Sequence, residues 1–193
     1  MVAELVGEGE IEEKCPHCIV FQLENARLKE ALSEMEQRAN HDPLTELPNR
    51  RYFIESLEKR IRRCQRYGDN TALLFLDVDD LKSINDTHGH AAGDALLIHL
   101  AKILKDNIRA CDMVARIGGD EFALLLDNLD ADQVEHKILS LIDRIKTANL
   151  VHDDRVLKFG AAIGYSFVGP ADTVSALMSR ADEAMYQSKN DNV

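Results

Sequence analysis

Two groups of carboxylates stand at the ends of apolar runs. In "LFLDVDD", residues 74–80, a run of large apolar side chains stops at Asp77, Asp79 and Asp80. In "ARIGGDEFALLLDN", residues 115–128, Asp120 and Glu121 follow a pair of glycines, Gly118 and Gly119. If "TALLFLDVD" is a strand, its period-two alternation sends Asp77 and Asp79 to one face. Carboxylates there, beside a second acidic loop, offer hard oxygen ligands of the kind Mg2+ takes, with room for water and phosphate oxygens. The two glycines remove side-chain bulk, so a ligand can approach the backbone. One acidic run alone is most simply a solvated face. Two runs flanking one apolar core shift the balance toward a cation-assisted site.

Those acids have to be positioned by a folded domain. Apolar residues Phe53, Ile54, Leu57 and Ile61 recur at helical spacing between Pro48 and Tyr67, and Gly68 follows as a stop. A second helix is expected over Ala91–Arg109, a third from Ala131 to Ala148, and a last one within "ADTVSALMSRADEAMYQSKN". "MVARI" and "EFALLLD" flank the glycine pair, a hairpin signal because glycine accepts the positive φ of a tight turn. "LKFGAAIGYSFV" reads as a further strand. This order predicts an α+β fold: a central, mainly antiparallel sheet in the ferredoxin-like manner, with helices on one side. Upstream, "NHDPLTELPNRR" carries two prolines that end any incoming helix. The chain thus divides into an arm, residues 1–40, and a domain, residues 41–193. In the arm Cys18, Phe21, Asn25, Leu28, Leu32, Met35 and Ala39 follow the a/d spacing of a heptad, which predicts a short parallel coiled coil with Asn25 fixing the register.

Four stretches, "DPLTELPNRR", "DVDDLKSINDTHGHAAGD", "RIGGDEF" and "ADEAMYQSK", together resemble the GGDEF domain, the catalytic module of diguanylate cyclases, over about residues 41–189. The resemblance implies a palm-type nucleotidyl cyclase fold and a reaction that condenses two GTP into cyclic di-GMP with release of two pyrophosphates. It implies Mg2+ or Mn2+ held by Asp77, the carbonyl of Val78 and Asp120. Glu121 or Asp120 would be the general base, and Lys82 would stabilise charge on the transferred phosphoryl group. Asn85 and Asp94 would read guanine, since a carboxylate accepts from donors that adenine does not present. Lys82 and Lys189 would meet the phosphates beside Gly118 and Gly119. Each domain would hold one GTP, so a homodimer is required. "RACD" matches an inhibitory site for the product, with Arg109 and Asp112 as its contacts. The family commonly continues after the last lysine with two residues and "GRN", where this sequence reads "KNDNV" and lacks that arginine. The alternative is a receptor that binds GTP or cyclic di-GMP without turnover, although such members usually lose the acid pair retained here.

Composition agrees with a single core plus an appendage: 193 residues, 45% hydrophobic, 30% charged. A formal net charge of −11 opposes binding to nucleic acid polymers or an anionic membrane. No apolar run approaches the roughly 18 residues of a membrane span, and the acidic start is unlike a signal peptide, so a cytoplasmic location is expected. Cys64 and Cys111 read as ordinary buried thiols. Cys15 and Cys18 in "CPHC" admit a zinc site shared across a parallel dimer, with His17 as a substitute ligand, a disulfide, or two unliganded thiols. A haem motif would need histidine where Ile19 stands.

Overall fold

The computed structural model describes residues 16–153 and 155–191, with side chains from residue 20 to 190. The chain divides into two units between Ala39 and Asn40. The first contains α1 (Pro16–Asn40) but for its last residue. Along it Phe21, Leu28, Leu32 and Met35 of the predicted seam are 58–70% exposed, as are Val20 and Leu23. The Asn25 side chain donates to the Phe21 carbonyl one turn back. Cys15 lies outside the described residues, and Cys18 is described only as helical backbone.

The second unit runs α2 (Arg50–Tyr67), β1 (Thr71–Val78), α3 (Leu81–His88), α4 (His90–Asp106), β2 (Met113–Arg116), β3 (Glu121–Asp127) and α5 (Ala131–Thr147). It continues with β4 (Leu150–His152), β5 (Arg155–Leu157), β6 (Ala161–Phe167) and α6 (Val174–Asp191). Strands β2-β3-β1-β6 form one sheet, antiparallel throughout, and β4-β5 is a separate hairpin. On β1, Ala72, Leu74, Leu76 and Val78 join a core with Leu96 and Leu100 of α4 and Ile138 and Leu141 of α5. Leu73 and Phe75 face the opposite way, toward Phe53 and Leu57 of α2 and Leu177 and Ala181 of α6. Helices therefore cover both faces, not one as expected. The reason is in the strands themselves: β1 and β3 are apolar at nearly every position, so neither face could be left to water.

Local chemistry sets the helix ends. Asn49 caps α2 by accepting from the Tyr52 amide, so the helix starts at Arg50 and not at Pro48, and Gly68 closes it at φ 71°. Asp130 and Gln133 make a reciprocal capping box at the start of α5. Helix α3 was not foreseen: it has eight residues, none fully buried, and so no apolar stripe to read. The strand expected over "LKFGAAIGYSFV" is broken, with β5 ending at Leu157 and β6 beginning at Ala161.

Helix α6 lies directly on β6. A Cβ placed on Gly164 would come within 2.0 Å of the Met185 backbone nitrogen, so only glycine permits this approach. Gly164→Ala forces α6 off the sheet, and urea denaturation should show a loss of about 1–3 kcal/mol, the cost of overpacking a close interface.

Candidate active site

Burial on both faces fixes the β1–β3 register, because a slip of one residue would exchange the two faces of each strand. In that register Asp77 is paired with Glu121. The Val78 amide donates to the Asp120 carbonyl at 3.1 Å, and the Asp79 amide donates to Gly160 at 3.0 Å. The strand stops at Val78, so the alternation expected to carry Asp79 onto the face of Asp77 ends one residue early. Asp80, at φ 55°, then turns the chain into α3. From α6, Lys189 forms an ion pair with Asp77. Asp77, Asp79, Asp120, Glu121 and Lys189 thus form one electrostatic group. Burial raises the Glu121 carboxyl above its ordinary value, and the charges of Asp120 and Asp77 add to the effect. Burial likewise raises Asp79. The hydrogen bond to Asp77 raises Lys189, and Asp79 and Asp120 reinforce it.

Among the described residues no three His, Cys, Asp or Glu side chains are arranged around a single ion position. The donor chemistry nevertheless fits a hard divalent cation: two carboxylates and a strand-end carbonyl supply oxygen only and leave positions for water and phosphate. It does not fit zinc, which favours nitrogen and sulfur.

Three glycines make room for polar side chains. A Cβ on Gly118 would lie 2.2 Å from a Glu121 carboxylate oxygen, one on Gly160 would lie 2.5 Å from Asp79, and one on Gly93 would lie 2.0 Å from the Asn85 side-chain oxygen. This revises the reading of the hairpin. Neither Gly118 nor Gly119 has a positive φ, so no left-handed turn calls for them; Gly118 is needed for the space that Glu121 fills, while a Cβ on Gly119 would meet nothing within 4 Å. The Asn85 side chain on α3 is packed against Gly93 of α4, the residue before Asp94, which is exposed. Lys82 is exposed on the first turn of α3 and, among the described residues, makes no ion pair with the acids.

The turn is anchored by a residue that had no assigned role. The Arg116 guanidinium donates to the Gly119 carbonyl at 2.8 Å and to the Asp42 carboxylate at 3.0 Å. The same Asp42 oxygen accepts from the Thr45 amide and hydroxyl at 2.8 and 2.7 Å, while the Arg116 amide donates to Pro48. "DPLT" is therefore a closed turn, locked to the acidic loop through one side chain.

At "RACD", both carboxylate oxygens of Asp112 are used by backbone, accepting from the amides of Arg109 and Asp127 at 3.0 and 3.1 Å. Arg109 lines two cavities, one of ≈ 420 Å³ reaching His41 and Pro48 and one of ≈ 470 Å³ reaching Gln133, His136 and Lys137. Cys111 is exposed, contrary to expectation, because it sits in this surface turn and not in a strand; Cys64 is half-buried.

The family profile for the diguanylate cyclase GGDEF domain matches residues 39–193. The chain belongs to that family. Diguanylate cyclase TpbB of Pseudomonas aeruginosa is 37% identical over 166 residues, 85% of this chain and 38% of TpbB, so the chain spans little more than a third of that relative's length. The coiled coil and GGDEF domain of DgcB from Caulobacter crescentus, solved with c-di-GMP, superposes with a TM-score of 0.84 at 26% identity, covering 90% of this chain and 93% of the other. SiaD of P. aeruginosa, solved with its activator SiaC, gives a TM-score of 0.76 at 32% identity, covering 91% and 71%.

In this GGDEF domain the Asp42–Arg116 pair has a defined pH signature. Burial alone would raise the Asp42 carboxyl, but the hydrogen bonds from Thr45 and Arg116 outweigh it and hold it below its ordinary value. A depressed carboxyl contributes stability that is complete above its unfolded pKa and is lost as pH falls through its folded one. The side chains of Arg116 and Asp42 are only 13% and 19% exposed. Asp42→Asn should therefore cost about 1.5–3 kcal/mol at pH 7, the range for a charge-assisted hydrogen bond. In urea titrations the gap from the parent should close below about pH 4, the ordinary Asp range.

Proposed function

We propose that the protein condenses two GTP into cyclic di-GMP and releases two pyrophosphates, as a homodimer dependent on a divalent cation, Mg2+ or Mn2+. The observation that carries this reading is the pairing of Asp77 with Glu121 beside Asp120, at the strand end where the sheet meets the glycine turn. In each half-reaction the 3′-oxygen of one GTP attacks the α-phosphorus of the other, and the bond to pyrophosphate breaks. Asp77, Asp120 and the Val78 carbonyl would hold the cation, which supplies charge neutralisation at the phosphates. Glu121 or Asp120 accepts the 3′-hydroxyl proton. A raised carboxyl suits Glu121 to that task, since a base works best with a pKa nearer the working pH. Lys82 and Lys189 meet the phosphates, Gly118 and Gly119 let them approach, and Asn85 with Asp94 selects guanine.

One domain offers one such set of groups, so two must face each other. The exposed apolar residues of α1 support a parallel coiled coil that joins two copies. This arm raises the local concentration of one domain around the other. Arg109, presented by the turn that Asp112 holds, is the contact for inhibitory product. Among the described residues no helix is long and apolar enough to cross a membrane.

Purified protein incubated with Mg2+ and either nucleotide should yield cyclic di-GMP from GTP and no corresponding product from ATP, as resolved by chromatography. A dimeric sample that binds GTP without forming the dinucleotide would instead support the receptor reading. Arg109→Ala should keep the parent's initial rate but continue at added cyclic di-GMP concentrations that stop the parent. Equal inhibition of both proteins would remove Arg109 from the product site.

A further inference from the structure

The acid group already contains a cation of its own. Lys189 reaches from the last turn of α6 to Asp77, and its ammonium also senses Asp79 and Asp120. Asp77 is 16% exposed and the lysine side chain 43%, so the carboxylate is the fixed partner and the lysine the movable one. The helix that carries the lysine cannot retreat easily, because α6 is pinned where Gly164 meets Met185. Any change of partner must come from rotation of the flexible four-carbon stem.

We infer that Lys189 is the resident counter-ion of the acid group, bound to Asp77 in competition with the divalent cation and released from it when that cation enters. This rests on the reading of Asp77 as a metal ligand. A dication and an ammonium cannot share one carboxylate oxygen at contact distance without strong mutual repulsion. With Lys189 in place, Asp77 keeps a partner before substrate arrives. Once displaced, the ammonium is free at the mouth of the site to meet an anionic phosphate. Cation and nucleotide are therefore coupled: each binds better when the other is present, because the phosphates give Lys189 a new partner as the cation takes its old one.

Mn2+ binding without nucleotide, followed by the electron-spin resonance signal of free Mn2+, tests this without reference to turnover. Lys189→Met removes the competing charge while keeping the stem, and should bind Mn2+ on the order of tenfold tighter than the parent. Lys189→Arg keeps a competing charge and should stay within about twofold of the parent. Acylation of Lys189 by an amine-reactive ester should rise when Mg2+ is added at matched ionic strength. Equal Mn2+ affinity in the parent and Lys189→Met, or no rise in labelling, overturns the exchange and leaves Asp77 standing as a metal ligand. If none of the three proteins binds Mn2+, the exchange falls together with that assignment. A parent that makes cyclic di-GMP yet shows equal affinities fails only on the exchange.

Discussion

Asp77 and Glu121 are paired across the β1–β3 ladder, where like charges oppose each other at the closest spacing a sheet allows. Nothing local favours this pairing. It is imposed by the apolar residues behind it, from Ala72 to Leu76 on β1 and from Phe122 to Leu126 on β3, all buried and divided between two cores. A one-residue slip that moved Glu121 away from Asp77 would exchange strand faces and break both cores. Two cores thus hold one unfavourable contact, and its consequences appear around it. Burial pushes the Glu121 carboxyl up, with Asp120 and then Asp77 adding to it, and Lys189 pairs with Asp77.

The surroundings are built so that these charges cannot relax away. Glycine at 118, 160 and 93 leaves room for Glu121, Asp79 and Asn85 at positions where any Cβ would collide. Arg116 holds the Gly119 carbonyl and Asp42 together, so the acidic loop is tied to the segment that follows the arm. Arg60 does similar work at the other end of β3, with a two-pronged grip on Asp127, which also accepts from Thr71. The Asp127 amide in turn donates to Asp112 under the "RACD" turn. The turn before β3 and the strand's far end are therefore each held by an arginine.

Much of this was readable from the residues. Period and punctuation located α2, α4, α5, α6 and the β2–β3 hairpin, because each has an apolar stripe or a flanking cap. The mainly antiparallel sheet followed from their order. The failures have physical causes. Helix α3 buries no residue fully, so periodicity could not reveal it. Helices on both faces could have been inferred from the continuous apolar runs of β1 and β3, which do not alternate with polar residues. The Gly-Gly pair marks the correct turn, but the positive φ expected of it is absent, and the bulk that Gly118 leaves out makes room for Glu121 three residues on. The roles of Asp42 and Arg116 lie in a contact across 74 residues of chain, which no local pattern encodes. The roles expected of the acids, the lysines, Asn85 and Asp94 rest on four motifs that stand together at family spacing. Spacing alone would have left Asn85 as a turn residue and Asp94 as a helix cap.

The charge balance of the site bears on how an acidic protein could take the triphosphate proposed as its substrate. A triphosphate arriving at Asp77, Asp79, Asp120 and Glu121 meets four carboxylates and, within the group, one ammonium. Partial burial makes their mutual repulsion stronger than it would be in water. A raised carboxyl at Glu121, which burial and its anionic neighbours produce, is one response to that repulsion. Drawing in Lys189 is another, and it neutralises Asp77 at the cost of occupying it. In the proposed reaction a divalent cation held by Asp77 and Asp120 would supply the neutralising charge that phosphates need beside these carboxylates. The same net charge of −11 that opposes binding to nucleic acid polymers therefore does not exclude GTP, provided the charges meet through a cation and not directly.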